Sequence, residues 1–408
     1  MNTFSAFRSR NYRLFFAGQS ISLLGTWMQK SAVSWVVYNQ THSKWMLGVS
    51  VFATLFPSSL LTPLGGVFSD RYNRYRILLL TQVLSMFQAI ALTLTVWFQA
   101  DPVPGILGLS VVLGLINAFD TPARQSLVYE MVEDKKDLSN AVALNSSMVN
   151  LSKLLGPAIA GLAIEHLGEV VCFGLNAVSF VAVIASLLQM KLAPYVPQKH
   201  TKNILTEFRD GLSYVRENPA LGRIIWMLAL ACLFVLPFTT LMPVYAKDIF
   251  HGTASTFGFI DSAVGLGAFA GAMYLASLRP GTNLQKVLTV NTFILGAGLL
   301  AFSHMTVYPL ALLCLIPAAF GTMSQVTISN TLLQTQAAPE MRGRVISLYV
   351  MAFSGMLPLG SLLVGAASHY LGVQTTVLVQ GILALLLALL HRKELKRKAV
   401  PEEAAAVV

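Results

Sequence analysis

Four ionisable side chains stand deep inside apolar stretches of this sequence: Lys30, Asp120, Lys153 and Asp261. A lone charge at the centre of a bilayer costs about 2.5–3.5 kcal/mol on insertion scales, so each needs a counter-charge, a change of protonation or an aqueous surround. Burial disfavours the ionised form of a carboxylate, which makes Asp120 and Asp261 candidates to take up and release a proton. Asp120 and Arg124 are four apart on one helix and can pair. Asp261 interrupts an otherwise apolar run, and either Lys30 or Lys153 could answer its charge. Polar residues also recur at helical spacing: Gln19, Ser22, Thr26 and Gln29; then Asn117, Asp120, Thr121 and Arg124; then Ser324, Thr327, Thr331 and Gln334, beside Gln325 and Asn330. In a membrane such stripes face protein or water.

Other chemistries lack their residues. There is no Gly-Lys-Ser/Thr phosphate loop, so ATP-driven work is unsupported. No nucleophile triad or paired-histidine metal site is spaced for catalysis, so no enzyme and no cofactor are expected, the proton serving as coupling ion. His42, His166, His251 and His304 fall near segment ends, and Cys172, Cys232 and Cys314 fall inside apolar segments, where no disulfide framework follows.

The elements that must position these groups are membrane helices. The chain has 408 residues, of which 55% are hydrophobic and 11% charged; soluble domains carry about 25% charged residues. Twelve apolar segments lie between residues 13 and 391, most exceeding the ~20 residues that cross hydrocarbon. With the N-terminus inside, the inner turns and the two tails hold all but four of the 28 Lys and Arg; Lys44 and Lys247 are outside, and Lys30 and Lys153 lie within helices. This bias puts both termini in the cytoplasm. It also accounts for the net charge of +10 without a nucleic-acid partner. The basic start of the first segment resembles a signal peptide, but the segment is too long and is expected to be retained.

The pattern divides into a six-helix bundle over 1–190, a linker over 191–221, a second six-helix bundle over 222–391 and a tail over 392–408. The linker contains Pro194, Pro197 and Pro219. It also holds an amphipathic stretch in which Ile204, Leu205, Phe208, Leu212 and Val215 share one face, as in a helix lying on the inner membrane surface. The two halves echo each other at an offset of about 203 residues, as parallel repeats do.

One short turn carries a motif. Gly65-Gly66-Val67-Phe68-Ser69-Asp70-Arg71-Tyr72-Asn73-Arg74-Tyr75-Arg76 joins the second and third segments. It resembles the signature loop of the major facilitator superfamily, with Gly66, Asp70, Arg71, Arg74 and Arg76 on the pattern or one step from it. Asn73 stands where the family has Gly, and Asn tolerates the left-handed backbone a Gly would supply. The small Gly65 and Gly66 are expected to admit a neighbouring helix. The resemblance implies twelve transmembrane helices in two pseudo-symmetric bundles, an all-α membrane protein. It further implies a gating role for this turn: Asp70 would cap the helix that starts near Arg342, Gly343 and Arg344, and Arg71 or Arg74 would reach Glu130.

Further stretches resemble a narrower group, that of the enterobactin exporter and macrolide-efflux proteins. They are Gly25-Thr26-Trp27-Met28-Gln29, Ser34-Trp35-Val36-Val37-Tyr38, Pro122-Ala123-Arg124-Gln125-Ser126, Asn140 to Ser146 and Gly156-Pro157-Ala158-Ile159-Ala160-Gly161. Gly156, Pro157 and Gly161 resemble an exporter bend motif, with one Gly displaced and one missing. The resemblance implies a cavity lined by helices 1, 4, 7 and 10, hence by Gln19, Thr26, Gln29, Asn117, Asp120, Arg124, Gln325 and Gln334. It also implies proton-coupled export of an amphipathic small molecule, siderophore- or macrolide-like, by a monomer in the bacterial inner membrane. Import, lipid translocation and a non-transporting sensor are the alternatives.

Overall fold

The computed structural model describes residues 4–192 and 204–405. Pro194, Pro197, Lys199 and Lys202 of the linker lie outside the described residues. The described chain is helical almost throughout: α1 (Arg10–Thr41), α2 (Lys44–Arg71), α3 (Arg74–Phe98), α4 (Val103–Met131), α5 (Leu138–Leu167), α6 (Glu169–Leu188), α7 (Ile204–Glu217), α8 (Pro219–Ile249), α9 (Ala254–Ser277), α10 (Leu284–Ser303), α11 (Tyr308–Gln336), α12 (Arg342–Leu371) and α13 (Val373–Leu395). Among the described residues, eleven helices are long and apolar enough to cross a membrane. The twelfth long helix, α1, spans 32 residues but is diluted by Arg10, Arg13, Gln19, Gln29 and Lys30.

Local chemistry sets the helix ends. The Ser43 hydroxyl caps α2 by accepting from the Met46 N–H at 3.3 Å. The Asn73 side chain accepts the Arg76 N–H at 3.1 Å and starts α3. Asn73 has φ −62°, so the left-handed backbone expected there is not formed; the residue works as an N-cap instead. α8 is irregular, with π turns at Ala231–Val235 and Tyr245–Ile249 around a 3-10 stretch at Leu236–Leu241. Pro237 and Pro243 have no N–H to give to an α-helical ladder.

The described residues form two compact units. One comprises 4–192 with 246–262, and the other comprises 204–245 with 263–405. Residues 246–262 thus pack with the first unit, although the sequence pattern assigns them to the second bundle.

In the first unit α1 packs on α5 and α6, α2 on α4, and α3 on α4 and α6. Apolar clusters fill both ends, one around Tyr12, Phe15, Leu78, Leu127 and Phe180, the other around Met28, Val36, Ile106 and Phe173. Close helix approach depends on small residues. A Cβ on Gly65 would lie 1.9 Å from the Ala118 carbonyl oxygen, and one on Gly156 would lie 2.6 Å from Trp27 Cβ. Gly66 meets nothing within 4 Å, so close approach in the turn belongs to Gly65 alone.

In the second unit α10 packs on α11 and α13, and α12 on α8 and α7. α7 is docked by polar contacts. Asp210 pairs with Arg344 at 3.3 Å, and the Ala338 N–H donates to the Tyr214 hydroxyl at 3.1 Å. Phe208 and Leu212, on its apolar face, stay exposed.

Candidate functional site

Residues of the first unit line a partly open cavity of about 420 Å³. Its polar lining includes Thr26, Trp27, Gln29 and Lys30 of α1, Ser50 and Thr54 of α2, Gln88 of α3, Asn117, Thr121, Arg124 and Gln125 of α4, and Asn145 of α5. Leu23, Val33, Val51, Leu55, Leu113 and Met148 supply apolar wall. An apolar chamber with a few convergent polar groups, in the size range of 300–1,000 Å³, is the usual form of a small-molecule site.

The α1 stripe divides between cavity and packing. Gln29 lines the cavity while both ends of its amide are held: Asn176 Nδ2 donates to Oε1 at 2.7 Å, and Gln29 Nε2 donates to Gln88 Oε1 at 3.1 Å. Such fixing costs the side chain its freedom before any ligand arrives, which is pre-organisation. Thr26 reaches the cavity and returns its hydroxyl to the Ser22 carbonyl at 2.9 Å. Gln19 is buried away from the cavity, and its Oε1 has no partner among the described residues.

On α4, Asn117 and Arg124 line the cavity, but Asp120 turns toward α3. The residue is 3% exposed, and its carboxylate is fully engaged. Thr81 Oγ1 donates to it at 2.9 Å, Gln82 Nε2 at 2.6 Å, and Arg124 Nη2 pairs with it at 2.9 Å. Asp120 therefore holds Arg124 in place, and the expected cavity-facing position of this acid is not found.

Two further charges inside the helices, the exposed Lys30 and the half-buried Lys153, stand around one ring. Lys30 Nζ lies 4.6 Å from the centroid of the Trp27 indole, and Lys153 Nζ lies 5.9 Å from the same ring. Asp261 stands within electrostatic range of both lysines, but neither reaches ion-pair distance. The direct partner of Asp261 is Ser31, whose Oγ donates at 2.8 Å. Trp27 escaped the sequence reading as a site residue. Its spacing three before Lys30 places both on one helix face and was the available signal. Nearby, the Tyr38 hydroxyl donates to Asp248, and Lys247 Nζ lies 5.7 Å from the Trp35 ring.

The bend residues serve packing. Gly156 admits Trp27, a Cβ on Gly161 would lie 2.6 Å from the Ala254 carbonyl oxygen, and a Cβ on Gly258 would lie 2.4 Å from the Pro157 carbonyl oxygen. In the second unit Gln325 is buried and donates to Thr292 Oγ1 at 2.6 Å, whereas Gln334 is exposed and donates to Asn330 at 3.0 Å.

At the motif turn Arg74 is the hub. Nη1 meets Glu130 Oε1 at 2.8 Å, Nη2 meets Asp70 Oδ1 at 3.4 Å, and Nε donates to the Ser69 carbonyl at 3.1 Å. One guanidinium thus joins the end of α2, the start of α3 and the end of α4. Arg71 and Arg76 are exposed. No group of His, Cys, Asp and Glu suited to a metal ion occurs among the described residues.

A family model described as transmembrane secretion effector matches residues 1–406. The staphyloferrin A transporter of Staphylococcus aureus is 26% identical over 380 residues, covering 91% of this chain and 92% of the relative. An enterobactin exporter, EntS of Citrobacter koseri, is 29% identical over 405 residues, with 96% and 92% covered. Macrolide efflux protein A of Streptococcus pyogenes is 23% identical, with 93% and 95% covered. Among solved structures, a peptide transporter POT, crystallised as a point mutant, superposes with TM-score 0.76 at 15% identity, covering 95% of this chain and 94% of the other. The nucleoside transporter NupG, also a point mutant, gives 0.74 at 11%, with 94% and 98% covered. At these identities the structural likeness speaks to the fold alone.

Proposed function

Because the chain belongs to the transmembrane secretion effector family, a major facilitator group of membrane transporters and not of enzymes, we propose that it exports an amphipathic organic molecule of siderophore- or macrolide-like size from the bacterial cytoplasm. The match over residues 1–406 carries this reading, because it spans the whole transport fold. The three relatives, named for siderophore and macrolide transport, supply the substrate range. The cavity supports it, with fixed amides on one wall and aliphatic side chains on the others.

The protein works as a monomer in the cytoplasmic membrane with both termini inside, by alternating access. The proton gradient drives it. Asp261 is the coupling acid in this reading, because Asp120 is already committed to Arg124, Thr81 and Gln82. Inverted vesicles bearing the protein and an acid interior should accumulate labelled enterobactin, staphyloferrin A or erythromycin. Accumulation confined to right-side-out vesicles would show import, and accumulation in neither would remove these substrates. In the same assay Asp261→Asn should flatten the dependence of uptake on pH.

A further inference from the structure

The charges around the cavity do not balance. Lys30 and Arg124 are the ionisable groups that line it, and no carboxylate does so among the described residues. Arg124 is answered by Asp120 at 2.9 Å. Lys30 has no carboxylate within ion-pair distance among the described residues. The acid that acts on it, Asp261, accepts from Ser31 and also acts on Lys153. Two ammonium groups therefore stand around one indole, and a single carboxylate, that of Asp261, acts on both.

The indole gives partial compensation, since a cation over an aromatic face is attracted to it. It does not neutralise two charges, and the exposed Lys30 is left open to an anion that enters the cavity. The unmatched group is Lys30, and it opens on the cavity beside the Trp27 ring. Trp27 is held there because Gly156 lets α5 approach α1.

We infer that Lys30 and Trp27 form an anion subsite, and that the exported molecule carries an ionised acidic group next to a flat or aromatic one. This rests on the export reading but selects within it: organic acids are favoured and amines are disfavoured. The acidic group supplies the counter-charge that Lys30 lacks, while the planar part lies along the indole. Asp261 competes with that group for the same pair of ammonium ions, so its neutralisation favours the bound anion.

Equilibrium binding to the full-length protein in detergent tests this without any transport step. Three probes share one shape: 2-naphthoate, the uncharged 2-naphthamide and the cationic 2-naphthylmethylammonium, each measured at pH 7 by saturation-transfer NMR titration. Charge-assisted hydrogen bonds are about twice as strong as neutral ones, so naphthoate should bind at least about tenfold more tightly than the amide. Lys30→Gln should erase that difference, Lys30→Arg should keep it, and Asp261→Asn should tighten naphthoate several-fold. Equal binding of acid and amide to the unaltered protein, or preference for the ammonium probe, would overturn the subsite. That comparison stands even if Lys30→Gln fails to fold. Naphthoate binding with accumulation confined to right-side-out vesicles would leave the subsite in place and remove the export reading.

Discussion

Replacing Asp120 by Asn should destabilise the first unit by about 3 kcal/mol. Breaking one side of a buried ion pair costs about 3–5 kcal/mol, because the surviving charge is left without its partner. Three structural details place this case at the low end. Thr81 and Gln82 both donate to Oδ1, an oxygen that Asn retains. The lost interaction is that of Oδ2 with Arg124 at 2.9 Å. Arg124 keeps 21% of its side chain exposed, so water in the cavity takes over part of its solvation. Asp120→Ala removes the acceptor for Thr81 and Gln82 as well and should cost about 1 kcal/mol more for each.

The buried thiol of Cys172 offers the readout. It lies in α6 of the first unit, and with Cys232 and Cys314 replaced by Ser it is the sole thiol of the chain. A thiol-reactive fluorogenic dye then reports thermal opening of that unit in detergent. A loss of about 3 kcal/mol should lower the melting temperature by about 6–12 °C. Arg124→Gln alone should also destabilise, and the double variant should fall short of the sum by about 1–3 kcal/mol, the coupling of a direct pair. Additive effects, or a melt for Asp120→Asn within about 1 °C of the starting protein, would refute the positioning role. Any uptake that remains in Asp120→Asn should keep its pH dependence, in contrast to Asp261→Asn.

Gly65→Ala should destabilise the α2–α4 contact by about 3 kcal/mol, since the new Cβ falls on the Ala118 carbonyl, whereas Gly66→Ala should melt as the starting protein does; equal effects in the dye assay would contradict the packing. Arg74→Gln should change stability by no more than about 1 kcal/mol, because its two ion pairs are partly exposed, yet it should slow uptake by separating α2, α3 and α4 at the turn. Asp70→Asn should abolish vesicle uptake at unchanged membrane yield, and normal uptake would remove Asp70 from any gating role.

Sequence by itself determined the membrane class, the helix count and the motif turn. These follow from runs of apolar residues and from where Lys and Arg fall, both properties of single segments against a bilayer. The i, i+4 pairing of Asp120 with Arg124 was equally legible, because an α-helix fixes that distance. Which way those side chains point was not. Asp120 and Asn117 share one polar stripe, yet one serves α3 and the other the cavity, a division made only when Thr81 and Gln82 on a neighbouring helix offer donors. The same holds for Trp27: as a sequence letter it reads as apolar filling, and it becomes the centre of a charged cluster only because Gly156 brings α5 and Lys153 against it. Asn73 shows the converse at short range, where a side chain that accepts the Arg76 N–H removes the need for a left-handed backbone. Tertiary structure decided these points because each depends on what an adjacent helix presents at a given depth, and no periodicity within one helix encodes its neighbour's face.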